Sequence, residues 1–132
     1  MANIRVLLVD DSPKFLDALK RVLSSDDYLE IVGQALDGRE ALEQAALLHP
    51  DVVLMDVAMS LMNGFEATRH LKARSKTPLV VIVTLFDSPE YRTEAAAAGA
   101  DRFLSKSSVG EELVPLLRTL FADPRPENVN AQ

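Results

Sequence analysis

The sequence predicts one α/β domain: a doubly wound, five-stranded parallel sheet with helices on both faces. Three observations predict it. Short, strongly apolar runs such as Val6-Leu7-Leu8-Val9, Val52-Val53-Leu54-Met55 and Leu79-Val80-Val81-Ile82-Val83 read as strands buried on both faces. These runs alternate with helical stretches five times along the chain. The 132 residues are the size of one ordinary domain, and no second apolar series follows the fifth unit.

The elements follow in order. Ile4 to Val9 is the first strand. A helix runs from about Pro13 to Ser24, with Ser12 as its cap and Pro13 in a first helical position. Phe15, Leu16, Leu19, Val22 and Leu23 share its apolar face. Asp26-Asp27 mark a turn before the second strand, Leu29 to Ala35. The second helix opens at Asp37-Gly38 and stops at His49-Pro50, because the residue before proline disfavours the helical region. Val52 to Met55 is the third strand. A loop, Val57 to Asn63, leads through Gly64 into a helix carrying Phe65, Thr68 and Leu71. Leu79 to Val83 is the most β-branched run and reads as a central strand. Ser88-Pro89 caps the fourth helix, which stops at Gly99. Arg102 to Ser105 is a short fifth strand. Ser108 and Glu111 have capping-box spacing and open the last helix, in which Pro115 is expected to bend the axis or delay the regular start. The domain is expected over residues 1–122. Residues 123–132, rich in proline, asparagine and polar side chains, read as a linker or flexible tail.

Composition removes several classes of function. There is no cysteine, which excludes disulfide scaffolds, thiolate metal sites and cysteine nucleophiles. The net charge of -6 and the 5% aromatic content argue against phosphate-backbone binding and base stacking by this chain, so no direct nucleic-acid contact is expected. No apolar run approaches the roughly 20 residues of a membrane span, and no basic leader precedes Ile4. A soluble cytoplasmic protein is expected.

Chemistry concentrates at the strand ends. Asp10 and Asp11 close the first strand, Asp56 closes the third, Thr84 ends the fourth, and Lys106 follows the fifth. In open parallel sheets, ligands bind outside the carboxyl ends of the strands, so these residues are expected to meet in one crevice. Three carboxylates facing one ammonium suit a divalent cation beside a phosphoryl group. Hard oxygen donors favour Mg²⁺. His49 and His70 are expected on helices away from the crevice, which speaks against zinc. Asp56 is the candidate nucleophile, because a carboxylate can accept a phosphoryl group. Lys106 would pair with that group as a point charge, and Thr84 offers a hydroxyl donor. Taken singly, Asp10-Asp11 reads equally well as an acidic helix cap, Thr84 as a β-branched strand residue and Lys106 as a surface lysine. Their joint placement carries the inference.

With those residues in hand, the chain resembles the receiver domain of bacterial two-component response regulators over about Ile4 to Phe121. The resemblance rests on Asp10-Asp11, on Pro50-Asp51-Val52-Val53-Leu54-Met55-Asp56, on Met62-Asn63-Gly64, on Thr84 and on Lys106. Asn63-Gly64-Phe65-Glu66-Ala67-Thr68 and Thr84-Leu85-Phe86-Asp87 resemble more specifically the NarL/LuxR-type branch, whose members usually carry a helix-turn-helix effector domain. The resemblance implies a flavodoxin-like sheet of order 2-1-3-4-5 with five helices. It implies phosphorylation of Asp56 by a sensor histidine kinase with Mg²⁺, the metal held by Asp10, Asp11, Asp56 and the carbonyl of Ala58. Thr84 and Lys106 would hold the phosphoryl oxygens, beside Val57 and Leu85. Phe103 would be the aromatic switch coupled to Thr84, acting through packing alone because it has no hydroxyl. The family often has proline where Ser60 and Ser107 stand, and alanine where Leu85 stands; these departures bear on switching geometry. Ala58 and Phe86, two residues beyond Asp56 and Thr84, cannot orient a water, so slow self-hydrolysis is expected.

The leading function is thus a phosphorylation-controlled signalling switch with no separate substrate, regulating transcription through an effector domain outside this chain. Its moving surface is expected over Glu90 to Phe121, with Tyr91, Leu113 and Leu117 as candidate partner contacts. Homodimerisation through the first and fifth helices, or through the fourth and fifth, is compatible with the sequence. Two alternatives are an interaction module that is never phosphorylated and a Mg²⁺-dependent phosphohydrolase, the latter disfavoured by the lack of an acid/base partner and of a cap.

Overall fold

The computed structural model describes residues 3–122. The tail expected over residues 123–132 lies outside the described residues. Five parallel strands form one sheet in the order β2-β1-β3-β4-β5. The strands are β1 (Ile4–Val9), β2 (Leu29–Ala35), β3 (Val52–Met55), β4 (Leu79–Thr84) and β5 (Arg102–Ser105). The helices between and after them are α1 (Pro13–Leu23), α2 (Gly38–Leu48), α3 (Gly64–Lys72), α4 (Pro89–Ala98) and α5 (Val109–Leu120). This is the flavodoxin-like arrangement that the resemblance implied.

The apolar runs divide their side chains between two cores, because successive strand residues point to opposite faces. Leu7, Val9, Val53, Met55, Val80 and Ile82 pack against α2, α3 and α4 with Ala41, Phe65, Leu71 and Ala95. Val6, Leu8, Val52, Leu54, Val81 and Val83 pack against α1 and α5 with Leu16, Leu19, Leu23, Leu113 and Leu117. Leu113 and Leu117 are fully buried there, which removes them as partner contacts: they are the apolar stripe by which α5 adheres to the sheet. Tyr91 is half-buried, its ring edge-on to Phe65 at 5.5 Å.

Most helix starts follow the expected chemistry. Ser12, Asp37 and Ser88 each accept a hydrogen bond from the backbone N–H three residues on. Two differences stand out. The capping box forms at Asn63 and Glu66, at the start of α3, where each side chain accepts from the other residue's N–H. It does not form at Ser108, whose side chain makes no cap bond. There, Lys106–Ser108 wind into a 3₁₀ turn whose start is held by the Ser105 hydroxyl accepting from the Ser107 N–H, and α5 continues from it. A 3₁₀ lead-in satisfies the first-turn groups by tighter bonds and leaves no slot for the box. Pro115 sits inside α5 at an exposed position, and the helix runs through it.

The register sets the site. Val9 is paired with Met55, and Met55 with Ile82. Thr84 is paired with Ser105. One step past these pairs come Asp10 and Asp56, side by side, with Lys106 one step past Ser105. All emerge at the same end of the sheet.

Candidate functional site

The residues at the strand tips form one cleft. Asp11, Asp56, Ala58, Thr84, Leu85 and Lys106 line a space of about 330 Å³, together with Ser12, Phe15 and Phe86. Backbone bonds fix the two central carboxylates: the Asp10 N–H donates to the Ala35 carbonyl and the Asp56 N–H to the Val9 carbonyl. Asp10 Oδ1 accepts from the Ser12 N–H at 2.8 Å, so this residue does shape the entry to α1 as an acidic turn residue. Its other oxygen, Oδ2, lies 2.8 Å from Lys106 Nζ. Asp10 therefore joins the cleft as well as turning the chain.

Asp56 is 5% exposed, and its Oδ2 lies 3.6 Å from Lys106 Nζ. Burial pushes its carboxyl up to about 6, and neighbouring Asp10 adds to the push; Lys106 and the Val57 N–H pull it back, and Asp11 raises it further. Three acidic groups are thus pressed together against one ammonium. Ligand oxygens of Asp10, Asp11 and Asp56 all lie within 4.8 Å of one another. Such a set is short of positive charge, and a hard cation suits it better than Lys106 alone. The oxygen-only donors fit Mg²⁺. His49 caps the end of α2 and His70 lies in α3, so neither reaches the cleft.

The other expected residues fall as follows. Thr84 is buried, and its Oγ1 accepts from the Phe86 N–H at 3.3 Å, which leaves the hydroxyl hydrogen free to donate. Lys106 has a side chain only 11% exposed. Ala58 and Leu85 are exposed on the rim. Val57 reaches the site through its N–H alone, since its side chain lies in the core under α3. Phe103 is half-buried on the α4 side of β5, beneath the Arg92 guanidinium.

Two residues have a part in the site that the sequence reading does not give them. Phe15 belongs by its spacing to the apolar face of α1, yet its ring centroid lies 4.4 Å from Lys106 Nζ. The available signal was its place in the first turn of a helix that starts at a strand tip. Gly64 packs so closely beneath the phosphoacceptor candidate that a Cβ there would collide with the Asp56 carbonyl oxygen. A glycine opening a helix just after a site loop was the signal.

Comparison with known proteins agrees with this arrangement. Residues 6–118 match the family described as response regulator receiver domain. Response regulator GacA of Pseudomonas viridiflava is 41% identical over 122 residues, covering 92% of this chain and 57% of GacA. A protein-glutamate methylesterase/protein-glutamine glutaminase of Methanococcus maripaludis is 39% identical over 109 residues, covering 82% of this chain and 30% of that enzyme. The chain thus spans about half or less of the length of these curated relatives. Among solved structures, the response regulator domain of Thermotoga maritima CheB superposes with a TM-score of 0.83 at 34% identity, covering 92% of this chain and 99% of that one. A LuxR-family two-component response regulator from Aurantimonas gives 0.84 at 29%, covering 90% and 85%. With the family match spanning most of the chain and the strand-tip cluster in place, this protein belongs to the response regulator receiver domain family.

Proposed function

We propose that this receiver accepts a phosphoryl group on Asp56 from the phosphohistidine of a sensor histidine kinase, with Mg²⁺ bound by Asp11 and Asp56 directly, by Asp10 largely through water, and by the Ala58 carbonyl. The observation that carries the reading is the buried Asp56 carboxylate flanked by Lys106 at 3.6 Å and by two further carboxylates at the same sheet end. An Asp56 oxygen attacks phosphorus; the phosphorus–oxygen bond forms as the phosphorus–nitrogen bond breaks, and the imidazole leaves with its electron pair. Near neutral pH, Asp56 is mostly ionised and ready to attack. Mg²⁺, when bound, supplies the positive charge that such a transfer needs. Lys106 supplies the second positive charge, and Thr84 donates its free hydroxyl hydrogen to an added oxygen. Val57 and Leu85 border that oxygen site, Val57 through its N–H.

The readout proposed is packing at Phe103: as Thr84 is drawn to the phosphoryl group, the space it leaves admits the ring. Transcriptional control through a further effector region is proposed as the output, supported by the NarL/LuxR-like residues and by the likeness to a LuxR-family regulator. Among the described residues, no helix is long and apolar enough to cross a membrane. The test is labelling from a phosphohistidine donor with Mg²⁺. The wild-type protein is expected to take up label stoichiometrically and Asp56→Ala none. Full labelling of Asp56→Ala would reject the assignment.

A further inference from the structure

We propose that Phe15 is a positioning residue for Lys106: the face of its ring holds the ammonium at the cleft and thereby sets how tightly the site grips a phosphoryl group. The proposal rests on the phosphoacceptor reading of Asp56. Lys106 Nζ has three near partners: Asp10 Oδ2 at 2.8 Å, Asp56 Oδ2 at 3.6 Å and the Phe15 ring centroid at 4.4 Å. An ammonium has three N–H bonds to place. Two sides meet carboxylates and the third meets the negative face of an aromatic ring. The Lys106 side chain is 11% exposed, and a cation over a ring gains most where water is excluded.

The sequence builds this contact from two distant places. Ser12 caps α1 and its Oγ accepts from the Phe15 N–H at 3.2 Å, which fixes Phe15 in the first turn, above the strand tips. Lys106 arrives from β5, the edge strand separated from β1 by β3 and β4. Its long stem must cross that width, and holding it there costs rotamer entropy. A cation seated among Asp10, Asp11 and Asp56 competes with Lys106 for both of its carboxylate partners. It cannot compete for the ring. Phe15 is therefore the partner Lys106 keeps when the site is loaded.

The ordinary alternative is that Phe15 only packs on the sheet with the rest of the α1 face. Phe15→Leu keeps apolar volume and removes the ring face; Phe15→Tyr keeps the face. Two measurements separate the roles. In the metal-free protein, the Lys106 ε-methylene protons are expected upfield by ring-current shielding in wild type and Phe15→Tyr, and at ordinary shifts in Phe15→Leu. In the loaded protein, Phe15→Leu is expected to weaken beryllofluoride binding with Mg²⁺ by roughly three- to thirtyfold, while Mg²⁺ alone binds within about twofold of wild type. Phe15→Tyr is expected to restore the beryllofluoride affinity. In a Lys106→Met background, Phe15→Leu is expected to cost nothing further. Equal beryllofluoride affinity in Phe15→Leu, failure of Phe15→Tyr to restore it, or an equal loss in the Lys106→Met background would overturn the proposal. A wild-type protein that binds Mg²⁺ and shows the ring-current shift but takes up no beryllofluoride would overturn the phosphoacceptor reading, and the role of Phe15 with it, while leaving the contact itself intact.

Discussion

The Arg92 guanidinium lies 4.6 Å over the ring of Phe103 while its Nε and Nη2 donate to the two Asp87 oxygens at 2.6 and 3.0 Å. Asp87 stands three residues beyond Thr84, so on the proposed switch a displacement of Thr84 toward the cleft would pass along the connection to Asp87, then to Arg92 and to the cover of Phe103. On that proposal Arg92 is expected to favour the unphosphorylated position of Phe103, which it covers. A ligand shifts such an equilibrium by its differential affinity for the two states. Arg92→Ala is expected to raise the affinity for Mg²⁺ with beryllofluoride by about two- to fivefold, the worth of one exposed cation–ring contact. Titration followed by fluorine resonance checks this; an unchanged or lowered affinity would show that Arg92 exerts no such bias.

Gly64 has a different constraint. A Cβ at that position would overlap the Asp56 carbonyl oxygen and lie 2.9 Å from the Val57 Cα, all backbone atoms that cannot swing aside. Gly64→Ala is expected to cost about 1–3 kcal/mol in urea unfolding and to weaken Mg²⁺ binding, because the peptide carrying Asp56 must move. Gly110→Ala is the internal comparison. Nothing lies within 4 Å of its Cβ position in α5, so it is expected to stabilise by about 0.5–1 kcal/mol.

Asp56 makes the metal-free fold pH-dependent in a defined direction. Its carboxyl stands at about 6 in the fold against an ordinary value of 3.8. Between those values the native state holds a proton that the unfolded chain releases, so this group's contribution falls as pH rises through that window and stays low above it. Two units correspond to about 3 kcal/mol at most. Asp56→Asn is expected to be more stable than wild type by about 1–3 kcal/mol at pH 7 in EDTA, with the gap closing toward pH 4. Urea unfolding across pH 4 to 7 measures it, and a pH-independent gap would place the effect elsewhere.

Leu61 adopts a left-handed backbone conformation, φ 68°, and is 77% exposed. The strain comes from the Cβ, and burial offers little in return. Leu61→Gly is expected to stabilise by about 0.5–1 kcal/mol and Leu61→Ala not at all, since alanine keeps the Cβ. Thermal unfolding of the pair decides: an equal gain in both would assign the effect to the exposed leucine surface instead.

What could be read in advance followed from local chemistry. The β-branched runs, the Ser and Asp caps and the charged residues after the first, third and fifth strands are all short-range signals, and the carboxyl-end rule for open sheets turns them into a site. What could not be read depended on which groups approach across the fold. Ser108 and Glu111 have the spacing of a capping box, but Ser108 is taken up by the 3₁₀ turn that carries Lys106 into the cleft. Phe15 counts as one more apolar residue on a helical wheel until Lys106 reaches it from the far edge of the sheet. Leu113 and Leu117 are indistinguishable in sequence from a partner-binding stripe; the core under α5 claims them.

Phe86 leaves the cleft without a polar group on one rim. It is 56% exposed, stacks edge-on with Tyr91 at 5.9 Å, and shares the lining of the cleft with Ala58, which lies two residues beyond Asp56. Hydrolysis of an aspartyl phosphate requires a water placed opposite the Asp56 oxygen, and neither side chain can accept its proton or fix its orientation. The phosphorylated protein is therefore expected to lose its label slowly in buffer with Mg²⁺ and no phosphatase. Phe86→Glu, which sets an acceptor at the rim, is expected to shorten the lifetime by about tenfold or more, within the range of a positioned acid or base. Label decay in both proteins measures this directly. A short wild-type lifetime that Phe86→Glu leaves unchanged would mean that water is aligned by some other group, with the Asp11 carboxylate, which lines the same cleft, the next to replace.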